Sequence, residues 1–139
     1  LLRIYIGIDS KIKHINNFKK SMGGFYMSRN LIKNIDFKTV YNIKSLVDYQ
    51  EGTVVSRTLA QGDPLSMTLF AFDSGEEISS HTAPGDALVY ILDGIAEITI
   101  GEEKFEVKEG ETIVMPKDIP HALYAKERFK MLLVVVFSL

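Results

Sequence analysis

Two histidines forty positions apart, His81 and His121, stand in matching surroundings. The first lies in Gly75-x5-His81, with Gly94 following; the second closes Gly110-x5-Pro116-x4-His121. Each half reads as a glycine turn and a short strand that carry an imidazole. A turn-and-strand unit used twice at such spacing constrains the chain to β-structure more tightly than any other feature does.

The rest of the chain agrees. From Phe37 onward, short apolar runs alternate with turn residues, the pattern of an all-β sandwich or barrel. Strands are expected over 53–61, 66–72, 88–92, 96–100, 104–107, 112–115, 122–125 and 130–137, with one helical turn over 45–48. Asp93-Gly94 reads as a tight hairpin turn. Ala96, Ile98 and Ile100 face one way and Glu97 and Thr99 the other, as in a sheet buried on one side. The last run, from Met131 to Phe137, is apolar on both faces and needs cover on both. The N-terminal strand or a second copy can supply it, so a homodimer is expected.

With 139 residues and a 46% hydrophobic fraction, the chain has one domain and one core. There is no Cys, hence no disulfide framework and no thiolate metal site. No run approaches the ~18 apolar residues of a membrane span, and no signal peptide is recognised. The expected location is the cytoplasm, with no membrane partner. A net charge of -2 and the lack of a helix-turn-helix pattern argue against nucleic acid as a partner.

Charge divides the chain: residues 1–36 carry +5 and residues 37–139 carry -7. Residues 1–36 are read as an N-terminal extension outside the barrel, and 37–139 as the domain. Within the extension, the codons of Gly23-Gly24 can read as a ribosome-binding sequence, separated from Met27 by the two codons of Phe25 and Tyr26. Residues 1–26 are therefore expected to be upstream read-through, with translation starting at Met27. The alternative is a native basic extension, helical over 11–20.

The two histidine settings resemble the paired motifs of the cupin family, G-x5-H-x-H-x3,4-E-x6-G and G-x5-P-x-G-x2-H-x3-N. The resemblance covers residues from about 37 to 139 and implies a single jelly-roll-like β-barrel with a short non-barrel N-terminal extension. In the family, three histidines and a glutamate at the barrel mouth bind Fe, Mn, Ni, Zn or Cu. Here His81 and His121 match. Ala83 stands at the second histidine, Ala87 or Leu88 at the glutamate, Asp118 at the second-motif glycine and Ala125 at the asparagine.

Two imidazoles hold a divalent ion poorly, since a catalytic site uses about three protein ligands and an open position. Asp86 beside the glutamate position is the off-motif candidate, although strand alternation points it away from the barrel interior. The resemblance thus implies a cupin that binds a small molecule in its barrel and carries a degenerate metal site. His81, His121, Ala83, Ala87, Val89, Ile91, Ile98, Met115 and Leu123 are expected to line the pocket. The alternative is a metal-dependent cupin enzyme of dioxygenase or isomerase type, using His81, His121 and an off-motif ligand. A third reading, metal-free acid–base chemistry by one histidine, lacks a carboxylate spaced to orient either ring.

Overall fold

The longest strand sets the architecture. In this computed structural model, which describes residues 12–14 and 30–139, it runs from Asp86 to Ile100 and pairs with four others. In chain order the strands are β1 (Ile12–His14), β2 (Val54–Gln61), β3 (Leu65–Phe72), β4 (Glu77–His81), β5 (Asp86–Ile100), β6 (Glu103–Lys108), β7 (Thr112–Met115), β8 (His121–Tyr124) and β9 (Phe129–Val136). Their spatial order is β1-β2-β3-β9-β5-β8-β4, with β6 and β7 also paired to β5. The first half of β5 lies between β9 and β7; its second half lies between β6 and β8. One strand therefore belongs to both walls of a curled sheet. The chain is all-β, as expected.

The expected hairpin at Asp93-Gly94 does not form. The two halves of β5 do not pair with each other; the strand turns a corner with a register shift between Ile91 and Asp93. Gly94 makes the corner, with φ 74°. A Cβ there would collide with the Arg128 carbonyl oxygen and sit 3.0 Å from the Phe129 Cα. Asp-Gly suits a hairpin and a bulged corner equally, because both need positive φ. The non-local approach of the chain at 128–129 decides between them.

Alternation within the strands builds the core. Phe129, Met131, Leu133 and Val135 of β9 point inward with Val89, Ile91 and Ile98 of β5. Phe72 and Phe129 stack at 4.4 Å between centroids, both fully buried. A second cluster forms on the outer side of β2 and β3, where Leu46 and Val47 cover Val55, Leu59, Leu69, Ala71 and Leu92. The 3-10 turn in this cover spans Ile43–Leu46, two residues earlier than expected.

Polar contacts pin the cover down. Tyr49 Oη donates to Asp93 Oδ2 at 2.6 Å, and the nearly buried Lys130 Nζ donates to the Lys44 carbonyl at 2.8 Å. Burial, then the bond to Asp93, pushes the Tyr49 hydroxyl well above the usual tyrosine range. The cover begins before residue 37, because the Lys33 N–H already donates to the Leu59 carbonyl.

Ile12–His14 is a strand paired in parallel with Val54–Ser56, which corrects the helical alternative at those three residues. The remainder of the 11–20 helix and the expected start at Met27 fall outside the described residues. No helix among the described residues is long and apolar enough to cross a membrane.

Gly94→Ala should destabilise the fold by about 2–4 kcal/mol, from the left-handed backbone plus the clash with Arg128. Gly52, at φ 66° with open space around its Cβ position, should lose only about 1 kcal/mol on the same change. Urea denaturation of both variants checks the difference.

Candidate functional site

β4 and β8 bring the two histidines together. They are register partners, beyond a register shift that separates Ile78 from His81. Their rings meet edge to face, with centroids 4.3 Å apart and planes at 70°. His121 is buried at 1% exposure and is also held by β5, opposite Ile100. His81 is partly exposed, so solvent reaches the pair from its side.

The two rings are oriented the same way. His81 Nδ1 lies 2.8 Å from the Ser79 carbonyl oxygen, and His121 Nδ1 lies 3.1 Å from that of Ile119. A carbonyl oxygen only accepts, so each Nδ1 carries the hydrogen and each Nε2 keeps its lone pair. His121 Nε2 is buried and has no hydrogen-bond partner within the protein. An orphaned buried acceptor of this kind costs about 1–3 kcal/mol. Burial first, and then the neighbouring His81, hold His121 below the usual histidine value of 6.5. The ring is accordingly neutral at pH 7.

The other expected site residues divide. Ala83 and Ala87 are sealed at 1% and 0% exposure. Val89, Ile91, Ile98, Met115 and Leu123, expected to line a pocket, are 0–3% exposed and packed in the main core. Apolar side chains on inward strand faces serve a pocket wall and a solid core equally well. Here they belong to one buried cluster with Phe72, Phe129 and Met131. A groove of about 390 Å³ lies elsewhere, lined by Ile95, Glu97, Lys104, Phe105, Glu106, Lys126 and Glu127.

Metal chemistry is limited by the donors. An imidazole whose Nδ1–H is held by a carbonyl oxygen is the form in which histidine binds metals through Nε2. Among the described residues, however, no group of three or more His, Cys, Asp or Glu side chains is placed to hold an ion. Asp86, the off-motif candidate, is exposed, and its Oδ1 accepts the Lys117 N–H at 2.8 Å. The donor set does not fit a centre that needs about three protein ligands.

A cupin domain profile matches residues 68–137. A conserved protein of unknown function from Streptococcus pyogenes superposes with a TM-score of 0.77 at 50% identity, covering 78% of this chain and 96% of that one. A cupin superfamily protein from Desulfitobacterium hafniense superposes at 0.74 with 34% identity, covering 77% and 98%. This chain belongs to the cupin family. An uncharacterised protein from Methanocaldococcus jannaschii is 45% identical over 38 residues, which span 27% of this chain and 30% of that relative's length.

Within the cupin pattern, the departure at Asp118 has a visible cause and consequence. Its φ is 61°, the left-handed region that favours glycine. Asp tolerates that region better than most residues. The Asp118 N–H donates to the Ala83 carbonyl at 2.9 Å, tying the loop before His121 to the loop after His81. Sequence reading found both histidines but not the carbonyls of Ser79 and Ile119 that orient them, because a backbone acceptor leaves no residue-type signal.

Asp118→Val should lose about 1–2 kcal/mol, whereas Asp118→Gly should be neutral or slightly stabilising; thermal unfolding of both variants checks this. The histidine predicts an acid dependence. Its folded value is lowered, so the unfolded chain binds this proton more readily, and stability rises with pH across the window. The contribution is complete above about pH 6.5 and falls as pH drops through that value. Melting curves from pH 8 to 5 should therefore show a steeper acid loss in the wild type than in His121→Asn.

Proposed function

We propose that this cupin binds a small molecule through the imidazole pair, and that its ligand presents a hydrogen-bond donor to His121 Nε2. The observation that supports this reading is the neutral, buried His121 ring, whose lone pair has no partner in the protein. A hydroxyl, an ammonium group or a protonated acid would satisfy it; a carboxylate would not, having only lone pairs to offer. Ligand size is set by the packing around the pair. Ala83 and Ala87 are buried small side chains, and Val89, Ile91, Ile98, Met115 and Leu123 are buried apolar ones. The ligand enters from the side of His81, and a small polar head is what fits without displacing core side chains.

Resident metal is not part of this proposal, because His81 and His121 supply two donors and the described residues add no third. The chain has no Cys, which suits the reducing cytoplasm as its working compartment.

Thermal-shift measurements with small alcohols and amines, each against its methyl isostere, test the reading. A binding donor ligand at about 100 times its Kd should add roughly 2.7 kcal/mol. That gain should vanish in His121→Phe and be absent with the isosteres. Elemental analysis of the purified protein is the second arm. Stoichiometric transition metal that disappears in the His81→Ala, His121→Ala double variant would overturn the proposal in favour of a metal-dependent cupin.

A further inference from the structure

The row of side chains that carries the imidazole pair does not stop at β8. His81 pairs with His121, His121 with Ile100, and Ile100 with Glu103. Cross-strand partners share a face, so these side chains of β4, β8, β5 and β6 stand at one level on the inner face. One step deeper the interior is closed: Ala96 and Ile98 on β5, Val107 on β6 and Leu123 on β8 are at most 4% exposed. Toward the row it opens on the β6 side. Ile100 is partly exposed, and Phe105 and Glu103 are exposed. The turn after β5 and the loop before β8 close the rim there, where the Gly101 N–H donates to the Pro120 carbonyl at 2.8 Å.

The geometry points to Glu103 as a second subsite beside the imidazole pair, for a ligand with a hydroxyl head on His121 Nε2 and an ammonium tail on the Glu103 carboxylate. In chemical class this ligand is an amino alcohol. The assignment rests on hydrogen-bond donation by the ligand to His121 and adds its other end. Glu103 is free to take that end, since it makes no ion pair among the described residues. The adjacent Lys104 lies on the opposite face, in an ion pair with Glu97.

Burial sets which end goes where. His121 Nε2 is enclosed and without a partner in the protein. A neutral hydroxyl satisfies it at a far smaller desolvation cost than an ammonium group. At Glu103 a cation keeps part of its hydration and gains a carboxylate partner. Between the two, Ile100 offers apolar surface to a hydrocarbon spacer. Two strand spacings, about 10 Å, separate the backbones of β8 and β6. The glutamate side chain covers part of that distance, and a spacer of about five carbons covers the remainder. A ligand that enters past His81 and lies along the row therefore meets both groups.

Isothermal titration calorimetry of the full chain with 5-amino-1-pentanol and with 1-pentanol tests the assignment. The amino alcohol should bind about fivefold tighter at low ionic strength, the scale of one exposed ion pair. Salt at about 0.5 M should remove that advantage. Glu103→Gln should remove it too, with 1-pentanol binding unchanged. Glu106→Gln makes the same charge change on the opposite face, beside Glu97, and should keep it. Equal affinities in the wild type, an advantage that survives in Glu103→Gln, or one lost equally in Glu106→Gln would overturn the Glu103 subsite. In each of those cases, 1-pentanol binding that disappears in His121→Phe leaves the head of the ligand in place. Binding of neither alcohol, or binding untouched by His121→Phe, would overturn both ends.

Discussion

Everything in this barrel depends on β5 turning its corner without ending. A strand that simply stopped at Asp93 would leave β9 and β7 on one wall and β6 and β8 on the other with no shared backbone. Continuity through Gly94 fixes the two walls against each other, since register with Phe129 on one side is followed directly by register with Lys108 on the other. The same strand then delivers Ile100 opposite His121, and His121 opposite His81. The imidazole pair is thus positioned by a ladder whose origin, Gly94, lies between the two histidines in sequence and close to neither.

That dependence explains what the sequence could and could not reveal. Strand periodicity and turn residues are local, and they placed β2, β3, β6, β7 and β9 within a residue or two. The corner was misread because Asp93-Gly94 satisfies a hairpin locally; what excludes the hairpin is the packing of Arg128 and Phe129, which no nearby residue announces. The histidines were legible because a side chain that carries chemistry keeps its letter. Their orienting partners, the carbonyls of Ser79 and Ile119, were not, because every residue has a carbonyl. Val89, Ile91 and Ile98 show the converse limit. Their pattern reports an inward face and is silent on whether that face borders space or other side chains.

β9 joins the core to the surface problem. Its alternation places Phe129, Met131, Leu133 and Val135 inside, yet Leu132, Val134 and Val136 are hardly less apolar. A surface strand of an ordinary one-sided sheet would carry polar residues at those positions. The cover held by Tyr49, Asp93 and Lys130 accounts for Leu132. The bonds that hold it are buried or half-buried, where they outweigh exposed ion pairs such as Lys44 with Glu109. Farther along the strand, Val134 and Val136 stay partly exposed.

The two alanines at the histidine pair are more than missing ligands. Ala83 and Ala87 are as buried as any residue in the barrel, so the volume that an imidazole and a carboxylate would occupy is taken up by neighbouring atoms. Enlarging either side chain would force those neighbours aside at about 1–3 kcal/mol per site. A carboxylate at position 87 would also have to be paired or neutralised in the core. Packing therefore favours the two-imidazole form of the site over a four-ligand one. With no third donor beside the two imidazoles among the described residues, the remaining chemical demand is that of His121 Nε2, a buried lone pair at neutral pH. That demand is met more readily by a ligand's hydroxyl or ammonium hydrogen than by an ion that would still need further donors.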